Sequence, residues 1–441
     1  MPIKSDISVS KSDQIRTLIL TTIAFTASFA VWTIFSIIGI QIKTNLGLNE
    51  TEFGLLVGTP ILTGSLIRLI LGIWTDIYGG RIVLTLLMLA SALATWLLSG
   101  AETYPQFLLA GLGVGIAGGT FIAAVAYVSR WFDKKKQGLP LGIIGAGNVG
   151  AAVTKFLAPV VMVALGWAAV AKIWAVALAA LAIIFWIWSK DDPVLRHQKA
   201  TGEKPQPALM QLAPLKNLQV WRFSLYYFFV FGAFVALALW LPKYFVSVYG
   251  VSIITAGMLG AMYSIPGSLF RIFGGWLSDK YGARRVMYWT FIGSLICLFF
   301  LSYPATDYVV HGVKGDIAFS MALGIVPFTI LVFGLGFFMS LGKAAVYKHI
   351  PAYYPDNVGS VGGLVGMIGG LGGFALPIAF GMMNDLIGIW TSCFMLLFIL
   401  VAIALTWMHF AIRKMEQRKH PDLAKPAYLP ELGDLKNHAK V

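Results

Sequence analysis

Two arginines, Arg68 and Arg271, stand inside otherwise apolar runs, and their surroundings are copies of one another. Gly64 to Arg81 reads GSLIRLILGIWTDIYGGR, and Gly267 to Arg284 reads GSLFRIFGGWLSDKYGAR at a constant offset, the mark of a duplicated architecture. In each copy the arginine precedes a loop aspartate, Asp76 or Asp279, which on a helix rising about 1.5 Å per residue places it roughly 12 Å deeper. A guanidinium at that depth in a bilayer costs on the order of 2.5–3.5 kcal/mol, so it needs an aqueous cavity or a partner. No Asp or Glu stands at comparable depth in any apolar run. Two uncompensated guanidiniums, one from each copy, make an anion site. Empty, they repel each other; an anion between them offsets the repulsion and draws the two halves together.

What must position them is a membrane bundle. Of the 441 residues 58% are hydrophobic and only 12% charged, which excludes a soluble globular protein and requires the lipid bilayer as solvent. Windows of about 20 apolar residues fall at 17–42, 52–75, 82–100, 105–129, 139–164, 167–189, 223–248, 254–278, 286–304, 321–348, 358–384 and 388–412. The expected fold is therefore all-α, with twelve spans split six and six. The segments are an N-terminal tail (1–16), a first bundle (17–189), a solvent-exposed linker (190–221), a second bundle (222–413) and a C-terminal tail (414–441). The net charge of +14 comes from Lys and Arg between the runs, not from a nucleic-acid face. Arg81, Arg130, Lys134, Lys135, Lys136, Lys190, Arg196, Lys199, Lys204, Lys280, Arg284, Arg285, Arg413 and Lys414 all fall in loops or tail on one side, so both termini are expected in the cytoplasm. The first apolar run is a full span without a small-residue cleavage site, so no signal peptide is expected. Cys297 and Cys393 lie within runs and read as packing residues.

Each copy ends in a Gly/Asp/Arg turn, Gly72-x3-Asp76-x2-Gly79-x-Arg81 and its echo through Asp279, Gly282 and Arg284. The glycines allow a tight reversal, and each Asp can cap a helix or pair with its Arg to latch neighbouring helices. The fifth and eleventh runs are glycine-rich: Gly142, Gly145, Gly147, Asn148 and Gly150 in one, and Gly366, Gly369 and Gly370 among others in the second. Small residues let membrane helices approach closely and keep a cavity wall free of side chains.

The doubled turn resembles the loop signature of the major facilitator superfamily. Paired intramembrane arginines with glycine-rich fifth and eleventh spans resemble its nitrate/nitrite porter family over nearly the whole chain. The resemblance implies a planar oxyanion between Arg68 and Arg271, flanked by Phe121, Tyr227 and Phe231 and hydrogen-bonded by Asn148 and tyrosine. Gly145, Gly147, Gly150, Gly366, Gly369 and Gly370 would be its signature glycines. Guanidinium suits nitrate, since its fork presents two parallel donors to two oxygens.

Lys343, in GKAAVYKHIP, is a further cation at moderate depth, and Lys155 is another. Lys343 either snorkels to the cytoplasmic interface or serves as a proton carrier, and its surroundings resemble the proton-coupled branch of the family. The expectation is a monomeric transporter that imports nitrate with protons by alternating access, in the plasma membrane (the inner membrane of a Gram-negative cell). A nitrate/nitrite exchanger is the alternative, and a nitrate-responsive receptor is more remote because linker and tails are short. An enzyme is not expected: the six histidines have no ligand spacing, and no catalytic set, metal or cofactor is called for.

Overall fold

The computed structural model describes residues 10–132, 138–193, 195–196, 217–353 and 358–419. Lys134, Lys135, Lys136, Lys199, Lys204 and both ends of the chain lie outside the described residues, as does the Asp76 side chain.

Among the described residues, eleven helical runs are long and apolar enough to cross a membrane. The other expected span, the second, runs as Glu50–Leu66 and Arg68–Tyr78 with Ile67 as a single turn residue between them. The ladder is carried across that residue by Ile67 N–H to Thr63 O (3.1 Å) and Leu71 N–H to Ile67 O (2.9 Å), so the two pieces form one span. Four more spans are interrupted, the first of them at Thr33–Ile34, between Lys11–Trp32 and Phe35–Leu46. The fourth runs Tyr104–Val114, a 3-10 turn Gly115–Gly119, then Thr120–Ser129. The fifth runs Gly138–Ala146, a 3-10 turn Gly147–Val149, then Gly150–Leu165. The seventh carries a π turn, Phe228–Ala233, between Leu218–Tyr227 and Phe234–Tyr249. Such irregular turns redirect side chains and are tolerated at membrane depth where protein buries them.

The repeat is visible in the backbone. Gly79 (φ +86°) closes the second span and Gly282 (φ +85°) closes the eighth, Ile253–Tyr281, both in a region that favours glycine. Upstream, a Cβ on Gly64 would stand 2.7 Å from the Trp32 indole nitrogen, and one on Gly267 2.1 Å from the Phe234 ring. One aromatic residue from the first span (Lys11–Trp32, continued by Phe35–Leu46) and one from the seventh therefore fill the same place in the two copies.

The two most extensive seams between the first six spans and the last six are second against eleventh (Val358–Ile387) and fifth against eighth. Added Cβ atoms would lie 2.2 Å from Pro377 O at Gly54, 2.2 Å from Glu50 O at Gly381 and 2.3 Å from Lys155 O at Gly257, so these backbones touch. At one end of the bundle the contact is polar as well. Asp385 accepts from Glu50 N–H (3.1 Å), Thr51 N–H (2.8 Å) and Thr51 Oγ1 (2.5 Å), capping the second span from the eleventh. Glu50 lies 3.3 Å from Lys43 Nζ and 3.7 Å from Lys243 Nζ. At the opposite end the pairs Arg130–Asp192, Lys190–Asp13, Arg284–Glu416 and Lys348–Asp279 each join residues of one and the same half. Polar contacts thus seal the Glu50 face between the halves.

The bundle is helical as expected, and the loop before the tenth span adds an exposed hairpin in which Thr306–Gly312 pairs antiparallel with Gly315–Met321, so that the tenth span begins at Ile325. Alternating β-branched and aromatic residues around a Gly-bounded two-residue turn explain it. Two expectations need correction. The first linker residues do not run through solvent. Asp192 is fully buried, 3.3 Å from Arg130 Nη1, and the Tyr127 hydroxyl donates to Lys190 O. The seventh span begins at Leu218, before the expected boundary.

Candidate anion-binding site

The interruptions put side chains where the site needs them. Arg68 directly follows the Ile67 break, Phe121 follows the 3-10 turn of the fourth span, Asn148 lies in that of the fifth, and Phe231 sits in the π turn of the seventh.

Arg68 is 1% exposed, and its Nη1 donates to Gly366 O at 2.8 Å. Its guanidinium carbon lies 5.1 Å from the centre of the Phe231 ring, 5.7 Å from Trp32 and 6.0 Å from Phe121. Arg271 is 7% exposed, 5.3 Å from the centre of the same Phe121 ring and 5.6 Å from Tyr347. Both guanidiniums therefore converge on one aromatic ring from opposite halves. Tyr227 stacks on Phe231 at 5.0 Å and meets Tyr347 edge-on at 5.1 Å, closing an aromatic wall around the pair.

Several polar atoms of these residues are left without a partner. Arg68 Nε, Arg271 Nη1, Ser65 Oγ and both side-chain atoms of Asn148 are buried without a hydrogen-bond partner. Among the described residues no carboxylate pairs with either arginine. Leaving such groups unsatisfied costs about 1–3 kcal/mol each, and more for charged ones. An anion carrying several acceptor oxygens answers the arginine N–H groups, the Ser65 hydroxyl and the Asn148 amide together.

The glycines divide. A Cβ on Gly145 would lie 2.8 Å from Arg271 Nε; one on Gly370 would lie 2.6 Å from Ser65 Oγ and 3.3 Å from Arg68 Nη1. With the Gly366 carbonyl, these make room for the guanidiniums. Gly147 instead packs on Phe25, Gly150 on the Thr26 carbonyl and Gly369 on Tyr227, so they serve helix contact. Gly145→Ala is expected to displace the Arg271 head group and weaken anion binding at least about tenfold while leaving the fold intact. Titration of nitrate into the purified variant, beside its thermal unfolding, checks both halves of that expectation.

Lys343 does not snorkel. It is fully buried, donates to Gly267 O at 2.6 Å and lies 3.2 Å from the centre of the Phe234 ring. Gly267 is one turn before Arg271, so Lys343 adjoins the clamp on the side of the eighth span. The loop residues arrange differently from expectation. Asp279 pairs with Lys348 of the tenth span rather than with Arg284, which pairs with Glu416 of the twelfth (Ser392–Lys419) at 3.2 Å. The turn at Gly282 separates them: Asp279 belongs to the last turn of the eighth span and Arg284 to the first of the ninth (Ala283–Leu301). Arg81 donates to Trp186 O at 2.8 Å and lies over the Trp186 ring.

Trp32, Ser65 and Tyr347 border the arginines but were not singled out by the sequence. Ser65 lies inside the duplicated string, opposite Ser268, and Tyr347 stands one turn after Lys343, so both carried a usable signal. Trp32 carried none.

The Major Facilitator Superfamily model matches residues 20–332. A protein of Thermus thermophilus named as a probable nitrate/nitrite antiporter is 42% identical over 93% of this chain and 94% of its own length. The nitrite extrusion protein of Bacillus subtilis is 29% identical over 86% of this chain and 90% of its own. Among solved structures, a bacterial homolog of the human lysosomal transporter Spinster, inward-facing and occupied, superposes with a TM-score of 0.69 at 16% identity, covering 92% of this chain and 98% of that one. The nucleoside transporter NupG superposes with a TM-score of 0.67 at 14% identity, over 89% and 99%. At these identities the superpositions establish fold alone.

Proposed function

Because the chain belongs to the major facilitator superfamily and, within it, to the nitrate/nitrite porter family, we propose that it is a multi-pass membrane transporter that imports nitrate together with protons by alternating access. The observation that carries this reading is the pair of buried guanidiniums on one ring, with unpartnered N–H groups and no carboxylate counter-ion among the described residues. Nitrate lies between Arg68 and Arg271, sandwiched by Phe121 and Phe231, with Asn148 and Ser65 donating to its oxygens. The transport unit is the single chain. Both termini are cytoplasmic, so the Glu50 face is extracytoplasmic and closed in this conformation.

Proton coupling falls to Lys343. It is a buried cation beside the clamp, and a proton leaving it reduces the charge that nitrate must balance. Lys343→Gln is expected to keep nitrate binding and lose dependence on the proton gradient. Uptake by reconstituted vesicles at several imposed pH gradients checks this, and unchanged coupling would remove Lys343 from the mechanism.

Nitrate/nitrite exchange is the second reading, favoured by the name of the relative from Thermus thermophilus. Vesicles loaded with nitrite separate the two. Symport predicts nitrate uptake driven by an inward proton gradient into nitrite-free vesicles. Uptake that requires internal nitrite and ignores pH would establish exchange instead.

A further inference from the structure

Beyond the arginine pair, toward the Glu50 face, another buried cation crosses the seam between the halves. Lys155 of the fifth span is fully buried, and its Nζ donates to Ser264 Oγ of the eighth span at 2.5 Å. Among the described residues no carboxylate pairs with it. The side chain is threaded along a glycine notch: a Cβ on Gly257 would lie 2.3 Å from Lys155 O, and one on Gly260 3.3 Å from Lys155 Cδ.

The position is informative. Lys155 stands two turns past Asn148, and Ser264 two turns before Arg271, each about 10 Å along its helix from the clamp. The Lys343 contact at Gly267 falls between. Lys155, Lys343 and Arg271 therefore form a staircase of cations descending from the Glu50 face to the central site. A buried ammonium whose one hydrogen-bond partner is a neutral hydroxyl is costly, and an apolar residue would close the seam more cheaply. A cation kept there has a use when the seam is open.

We infer that Lys155 and Ser264 form a staging site for a small monovalent oxyanion on the path from the Glu50 face to the arginine pair. With the seam closed, the two residues bond to each other. Rocking of the halves parts the fifth span from the eighth, which frees the ammonium and the hydroxyl to donate to an incoming anion. Reclosure restores their mutual bond and passes the anion inward to Arg271. The inference rests on the transport reading above.

The test measures nitrate KM separately from each face, in proteoliposomes of fixed orientation. Lys155→Gln is expected to raise the KM for nitrate presented at the Glu50 face about tenfold and to leave the KM from the opposite face within about twofold. Ser264→Ala removes only a hydroxyl, so it carries the test even if Lys155→Gln fails to fold. It is expected to raise the same KM about threefold. Equal KM shifts from both faces, or a loss of maximal rate with both KM values unchanged, would overturn the staging site while leaving the transport reading in place. Wild-type vesicles that move neither nitrate nor nitrite would overturn the transport reading itself, and the staging site with it.

Discussion

Arg271→Lys is expected to cut nitrate uptake at least about 100-fold, and Arg68→Lys to do the same, because each removes a planar fork that an ammonium cannot reproduce. The charge is conserved in both variants, so a site that needed only positive potential would survive them. The geometry argues otherwise. Arg68 spends Nη1 on the Gly366 carbonyl and keeps a buried Nε free, and Arg271 keeps a buried Nη1 free. A lysine at either position presents a point donor on a flexible stem. It would lose the contacts to the Phe231 and Phe121 rings that fix the fork. Hydrogen bonds to charged groups are worth about 1.5–3 kcal/mol each, so the loss of two accounts for the expected fall. Uptake of labelled nitrate by reconstituted vesicles, normalised to protein inserted, is the readout.

The second large effect is expected far from the anion. Gly54→Val places a side chain where even a Cβ would be 2.2 Å from the Pro377 carbonyl oxygen, a backbone atom with nowhere to retreat. The second and eleventh spans then cannot meet, and the Glu50 face cannot close. Transport is expected to fall about 100-fold, because a carrier held open on one face does not cycle. Nitrate binding in detergent should stay within about threefold of wild type, since no clamp residue is touched. Loss of binding in step with transport would instead assign Gly54 to the site or to the fold. Overpacking of this kind is felt because the seam is backbone on backbone, with no flexible side chain to yield.

Much of this was legible in the sequence for a simple reason: the chain says it twice. The repeated string locates both arginines, and the absence of a carboxylate at their depth is what makes them candidates for an anion clamp. Apolar windows found the spans, since hydropathy reports burial in lipid directly. They could not find the Ile67 break or the π turn at Phe228–Ala233, because an apolar window carries no record of hydrogen-bond register. The Asp279 partner was missed because it lies on another span, as does the capping of Glu50 and Thr51 by Asp385. Lys343 showed the opposite limit. Its sequence leaves snorkelling and an inward-facing role both open, because Lys348 and His349 follow closely, and the bond to Gly267 O shows that its ammonium turns inward.

One planar oxyanion is proposed as the shared counter-ion of Arg68 and Arg271. Equilibrium nitrate binding to purified protein, measured on the wild type and on each arginine-to-lysine variant, tests it most directly. One nitrate per wild-type chain is expected, with binding weakened at least about tenfold in either variant. Wild-type affinity retained in Arg68→Lys or Arg271→Lys would contradict it.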